Sequence, residues 1–358
     1  MGVSSQSVSP DSIKNEYHRT IKRKLLLIIL LILSLVIITG IASTIGVIDF
    51  TVREVCLAVL NHFFTDQFES GDLSRKVIWD IRLPRICLGI LAGMGLGLAG
   101  AVMQGILRNP LASPYTLGIS SGAGFGAAVA IILGAGFVGG EYLIIGNAFL
   151  GALISSGVIL ILSGKRGSTP ESMLLAGIAL MYLFSASISL LQYFASDEAA
   201  KEVTFWLIGS LSYASWEKVS AIALVLIVTA PVLLWKARDL NIIIAGDDTA
   251  KSLGLNVKKT RVTLMVLSSL LTASIVCFTG SIGFIGLVAP HMTRMVTGGD
   301  NRFVFPVSAL LGGVLLAVAD MAALTVMEPV IIPIGIVTAY MGVPLFLYLI
   351  IRRRKEYW

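Results

Sequence analysis

Lys22-Arg23-Lys24 is followed by Leu25-Leu26-Leu27-Ile28-Ile29-Leu30-Leu31-Ile32-Leu33, and the run continues without a charge to Val47. A helix crossing the hydrocarbon core of a bilayer needs about 20 apolar residues, so this stretch can span. It is too long for the apolar region of a secretory signal, and no small-x-small cleavage site follows promptly. The basic flank sets its N-terminus inside. Leu25–Val47 is a retained first span, and Met1 to about Thr20 ahead of it reads as a polar, Ser-rich cytoplasmic tail.

The rest of the chain repeats the pattern. Of 358 residues, 56% are hydrophobic and 13% charged, against about 25% charged in an ordinary globular domain. That leaves room for about ten spans and little else. It excludes a soluble enzyme and a disordered chain. Cys56, Cys87 and Cys277 are too few and too dispersed for a disulfide framework or a zinc cluster. Further runs lie near Ile86–Leu107, Leu117–Gly136, Tyr142–Leu162, Met173–Phe194, Val219–Trp235, Val262–Thr279, Phe284–Val296, Phe305–Thr325 and Ile334–Ile351. Phe284–Val296 is short and interrupted by Gly and Pro, which also suits a re-entrant segment.

The net charge of +6 points to loop orientation rather than to nucleic acid. With both termini inside, 20 of the 27 Lys and Arg residues fall on inner segments, as the positive-inside bias requires. Omitting the short span would place Arg352-Arg353-Arg354-Lys355 outside. The expectation is an all-α polytopic membrane protein of about ten spans, with a tail over 1–24, one permease domain over 25–351 and a basic tail over 352–358. An outer segment from Asp49 to Arg85 is long enough for a surface helix. An inner loop over 237–260 shows two short helical patterns broken at Gly246 and Gly254. Glycines at 89, 93, 95, 97 and 100, and at 118, 122, 124 and 126, predict close helix approach.

Several chemistries are missing. No Gly-x-x-x-x-Gly-Lys-Ser/Thr loop is present, because Gly164-Lys165-Arg166 lacks both the upstream Gly and the hydroxyl residue, so the chain does not hold ATP phosphates itself. An ion-coupled carrier needs buried carboxylates or His as relays, and only Asp320 lies clearly within a span, with Glu328 near an outer edge. A membrane transferase needs a second acidic cluster beside Asp247-Asp248. His291 and Gln104 read as structural hydrogen-bonding groups.

Four stretches, in order, carry a resemblance. One is Arg82-Leu83-Pro84-Arg85 with Leu98-Ala99-Gly100-Ala101-Val102-Met103-Gln104-Gly105 and Arg108-Asn109-Pro110-Leu111-Ala112-Ser113-Pro114. The others are Ala245-Gly246-Asp247-Asp248-Thr249-Ala250-Lys251-Ser252-Leu253-Gly254, Gly280-Ser281-Ile282-Gly283-Phe284-Ile285-Gly286-Leu287-Val288-Ala289-Pro290-His291, and Pro333 through Pro344. From about Ile81 to Ile351 the chain resembles the FecCD family, the permease subunits of ferric-siderophore, haem and vitamin B12 ABC importers.

The resemblance implies a vitamin B12-importer-permease-like fold in a prokaryotic plasma membrane, paired as a homodimer, with the substrate path along the two-fold axis. It implies two ATPase subunits below, an extracytoplasmic substrate-binding protein above, and no catalytic residue, cofactor or resident metal in this chain. Ala245, Gly246, Asp247, Asp248, Lys251, Leu253 and Gly254 would contact the ATPase, with apolar help from Ile242–Ala245 and Leu253–Leu255. Arg82 and Arg85 would receive carboxylates of the binding protein; Ala322-Ala323-Leu324 lacks a further basic residue that some relatives carry. Asn109, Leu111, Glu171 and Ser172 would form the inner gate, Glu171 departing from the usual small polar residue. The path wall would come from the fifth and tenth spans with parts of the third and eighth. The favoured cargo is an iron–siderophore, the commonest class in the family, with haem and cobalamin as alternatives.

Overall fold

The computed structural model describes residues 10–46, 48, 50–64, 72–165 and 169–352. The first nine residues, Val47, Asp49, Arg166 and the basic tail with Arg353, Arg354 and Lys355 lie outside the described residues. Each of the ten apolar runs coincides with a helix, and no strand occurs among the described residues. Among the described residues, seven helices are long and apolar enough to cross a membrane.

Helix α1 runs unbroken from Pro10 to Thr44, so the expected polar tail is helical from Pro10 onward. Pro10 suits a first helical position, and the Lys, Arg and Glu side chains that follow are good helix formers once an adjoining apolar run supplies the nucleus. The outer segment folds as α2 (Val52–Phe63) and α3 (Asp72–Lys76). Thr51 and Glu54 close a capping box at the start of α2, with Thr51 N donating to Glu54 at 2.7 Å. A π-helical turn, Val77–Arg82, then runs straight into α4 (Leu83–Leu107). The second span therefore extends upstream of the expected Ile86. The widened turn comes just before Pro84, whose ring offers no N–H to the ladder.

Helix α4 is the centre of the bundle. It is buried along nearly its whole length and packs on α14 (Asn301–Thr325), α13 (Ile285–Thr297), α12 (Val257–Thr279) and α9 (Trp216–Trp235). Its glycines make this possible: a Cβ at Gly93 would collide with the Gly312 carbonyl, and one at Gly312 with the Gly93 carbonyl. Between apolar helices in lipid, such close backbone approach supplies the packing that a hydrophobic effect cannot. Helix α5 (Ile119–Leu133) meets α6 (Leu143–Lys165) in the same way.

The exposed surface of the long helices carries large apolar side chains: Ile29, Leu33 and Val36 of α1, Leu183 of α7 (Pro170–Tyr193) and Ile227 of α9 are exposed. Of the ten apolar runs, two fold as helices too short to span alone. Helix α5 is 15 residues long, about 22 Å, and α13 has 13. Residues 112–114, 117–118 and 280–282 beside them are buried, so this irregular backbone is covered by protein rather than lipid. Helix α8 (Asp197–Ile208) follows α7, and α15 (Ile334–Arg352) closes the chain.

Candidate functional site: a clamped helix pair beside an irregular loop

At the basic end of the bundle the chain leaves α9 and forms α10 (Ala237–Ala245) and α11 (Asp247–Ser252). They meet at Gly246, where φ is 142° and ψ 140°, a conformation that L side chains avoid. Leu240 and Ile243 are fully buried, and Leu240 lies against Gly105 of α4, where a side chain would collide with it. Ala245, Asp248, Thr249, Lys251, Ser252, Leu253 and Gly254 are exposed. The pair thus has an inward apolar face and an outward face carrying most of the expected contact residues. Ile243 departs from expectation, because it anchors the pair to the core.

Asp247 also departs. It lies not on the outward face but between two arginines. Arg261 of α12 donates to both carboxylate oxygens at 2.8 Å, and Arg108 donates at 2.5 Å. Arg108 also donates to the Ile243 carbonyl. Burial pushes the Asp247 carboxyl up, but the two guanidiniums outweigh it and hold it below its ordinary 3.8. A carboxylate beside two arginines, one of them 3% exposed, is the arrangement that best repays their desolvation. Asp248 pairs only with Lys251, at 3.0 Å, on the surface.

A second clamp holds α10. Asn241 donates to Asp300 at 2.8 Å and accepts from Asn301 N and Nδ2 at 2.9 and 2.8 Å. Asn301 in turn accepts from Arg294 of α13 at 3.2 Å. Burial raises the Asp300 carboxyl, and Arg302 and Asn241 more than offset this, leaving it low. None of Asn241, Arg261, Asp300 and Asn301 is among the site residues expected from the sequence, and Arg108 enters there only within its motif and as an inner-loop charge. Nothing in spacing links positions 59 residues apart; the sequence signal was limited to polar groups next to apolar helix ends.

Arg108 ends α4 in a left-handed conformation, with φ 48°, and Asn109, Pro110 and Leu111 follow directly. Asn109 Oδ1 accepts from Leu111 N at 2.9 Å. Gln104, fully buried, donates to the Pro110 carbonyl at 2.9 Å and the Leu287 carbonyl at 3.2 Å, so it ties this loop to α13. Leu111 is exposed. Glu171 and Ser172 sit in the first turn of α7, where Thr169 caps Ser172 N at 3.3 Å. The same helix reaches the loop two turns on, Gly177 packing against Leu117 and Gly118.

Beyond the loop lies an open cavity of about 570 Å³. Tyr115, Thr116, Leu207, Phe284, Ile336 and Tyr340 are among its walls, and no charged side chain among the described residues lines it. Phe284 has φ 65°, a rare conformation for a bulky residue, and its ring abuts Gly342 of α15. No group of three or more His, Cys, Asp or Glu among the described residues could hold a metal ion. His291 instead packs edge-on to Phe346, 5.7 Å between ring centroids.

The family model of the FecCD transport family matches residues 25–352. The chain belongs to that family. An ABC transporter permease protein of Methanocaldococcus jannaschii is 44% identical, over 96% of this chain and 99% of its own. The cobalamin import permease BtuC of Halobacterium salinarum is 42% identical, over 79% of this chain and 76% of its own. Other relatives are named for haemin and Fe(3+)-citrate import. A solved structure described as an inward-facing metal-chelate type ABC transporter superposes with a TM-score of 0.81 at 31% identity, covering 91% of this chain and 99% of that one. This FecCD chain is accordingly a multi-pass membrane permease, and the α-helical architecture expected from its sequence holds.

The two arginines expected to receive the binding protein are both engaged within this FecCD chain. Arg82 and Arg85 do not stand open to a partner. Arg82 donates to the Ser43 carbonyl at 2.8 Å and to the Ile48 carbonyl. Arg85 forks onto Asp320 of α14 at 2.8 to 3.1 Å, the two side chains 11% and 7% exposed. A guanidinium near the apolar part of the bundle requires such partners, since an unpaired buried charge is costly. The same contact occupies Asp320, the one carboxylate that an ion-coupled carrier could have used as a relay.

Proposed function

We propose that this chain is the membrane-spanning subunit of an ABC importer that moves an iron–siderophore or a related metal chelate inward. A separate ATPase powers it, and an extracytoplasmic binding protein feeds it. Two copies pair so that their cavities share one path. Haem and cobalamin are the alternative cargoes within the same family.

The observation that carries the reading is Arg108. It is bound to Asp247 and Ile243 of the α10–α11 pair and is the residue immediately before Asn109. Motion imposed on the exposed face of the pair by an ATPase would reach α4 through Arg108, α12 through Arg261 and the α13–α14 turn through Asn241. The loop of Asn109 and Leu111 would move with it and open or close the path above. Glu171 and Ser172 would flank that opening from α7. The chain has no phosphate-binding loop of its own, so energy has to enter through such a contact.

The neutral cavity wall supports a bulky cargo that is passed on rather than held. High affinity then resides in the binding protein. Docking of that protein at Arg85 has to exchange Asp320 for an incoming carboxylate, which makes the ion pair a competitor of the partner.

The test is reconstitution in liposomes with the ATPase and binding protein encoded beside it. Ferric siderophores, haem and cobalamin are added in turn. Stimulation of hydrolysis by one loaded binding protein supports the reading and names the cargo. Failure of the chain to retain any ATPase rejects it.

A further inference from the structure

A second cavity, where α1 meets the start of α14, lies outside the transport path. It encloses about 360 Å³ between Glu16, Thr20 and Lys24 of α1 and Asp300, Arg302 and Phe303 of the α13–α14 turn. Lys24 is half-buried, with its ammonium 4.7 Å from the centre of the Phe303 ring. The guanidinium of Arg302 is 5.9 Å from the same ring. Arg302 is forked onto Asp300 at 2.7 and 2.9 Å, whereas no ion pair among the described residues includes Lys24. Two cations therefore flank one aromatic ring, with Asp300 paired to Arg302 and Glu16 exposed at the rim.

The depth of this cavity identifies its surroundings. Lys24 is the last charge before the apolar run, and Leu25, Leu26, Ile29 and Leu30 next to it on α1 are exposed. The cavity thus opens at the level where lipid headgroups meet hydrocarbon, on the basic face that the positive-inside bias assigns to the cytoplasm. Arg19, Lys22 and Arg23, all exposed, add to the positive field there.

We propose that this cavity holds the phosphodiester headgroup of an anionic inner-leaflet phospholipid, with Lys24 and Arg302 as its cationic ligands and the exposed α1 surface beneath receiving its acyl chains. An ammonium and a guanidinium are the usual partners of phosphate oxygens. The site is joined to the α10–α11 pair, because Asp300, the partner of Arg302, also accepts from Asn241 of α10. A lipid that engages Arg302 therefore acts on a residue that holds the helix pair in place. The proposal rests on the inward orientation of this face but not on transport.

The experiment is native mass spectrometry of the purified full chain released from detergent, with phosphatidylglycerol, phosphatidylcholine and inorganic phosphate as separate probes. The unmodified chain should retain phosphatidylglycerol and neither of the others. Lys24→Gln and Arg302→Gln should each weaken retention about five-fold, the contribution of one basic residue beside an anionic headgroup. Lys22→Gln, on the exposed flank, should change it less than about two-fold, and Lys24→Arg should restore it. Lys24→Gln removes no ion pair, so loss of fold does not confuse its reading. Equal losses for Lys22→Gln and Lys24→Gln would mean general attraction to the basic helix and would overturn the site. Equal retention of phosphatidylcholine would do the same, and competition by inorganic phosphate as strong as by the lipid would make it a free-anion site.

Discussion

Asp247→Ala isolates the clamp between the α10–α11 pair and the transmembrane core. It removes the acceptor of both Arg108 and Arg261 while leaving the exposed face of the pair unchanged. Arg261 is 3% exposed and Asp247 33%. Removing one partner of a fully buried ion pair costs roughly 3–5 kcal/mol, whereas exposed pairs contribute less than about 1 kcal/mol. The partial exposure of Asp247 and Arg108 places the loss between these limits, at about 2 kcal/mol, or roughly a 30-fold larger population of the opened helix pair. Hydrogen exchange in α10 and α11 should rise by that factor in the assembled complex, with the rest of the bundle unchanged. Uptake into liposomes should fall at least about ten-fold while basal ATP hydrolysis continues, because the partner still binds but no longer moves α4. Asp247→Asn, which keeps an acceptor, should be milder. Normal exchange and normal uptake in a folded Asp247→Ala protein would refute the clamp as the coupling element.

Further outcomes follow from the same geometry. Asp247 sits below its ordinary 3.8 in the folded chain, so its contribution is present above the unfolded pKa and is lost as pH falls through the folded one. The protection of α10–α11 relative to the intrinsic exchange rate at each pH should stay flat from about pH 5 to pH 8 and fall only below about pH 4; a loss of protection near neutrality would contradict this. Arg85→Ala leaves the buried Asp320 carboxyl without its partner and should destabilise the fold by about 3 kcal/mol, read as a lowered melting temperature. Asp320→Asn frees the guanidinium and should tighten binding-protein capture, measured by surface plasmon resonance; unchanged or weaker capture would rule out the exchange at Arg85. In detergent solution and in a background with Cys56 and Cys87 replaced by Ser, Leu253→Cys should react with a polar maleimide and be protected when the ATPase is bound, while Ile243→Cys should stay inert in both states. Reaction of both would mean that the pair is not seated on α4 as described.

The sequence by itself determined the class of this protein. Runs such as Leu25–Val47 have one low-energy solution in lipid, a helix with its backbone groups paired internally, and the Lys and Arg asymmetry orients the set. The break at Gly246 was legible because a local conformation that demands glycine leaves a local mark. The glycines of α4 announced close approach, but not that α14 would be the partner.

What the tertiary structure alone decided is the pairing of charges. Arg82 and Arg85 read as outward-facing because their sequence neighbours place them at an outer edge. Their burial depends on Asp320, 235 residues away from Arg85, and on carbonyls at the end of α1. Asp247 and Asp248 are adjacent and identical in type, yet one is clamped by two arginines and the other is open to water. That difference arises from which helix face turns toward α4 and α12, and sequence spacing carries no record of a helix that has not yet packed. The contact of Lys24 with the Phe303 ring has the same origin, since it exists only once α14 lies beside α1.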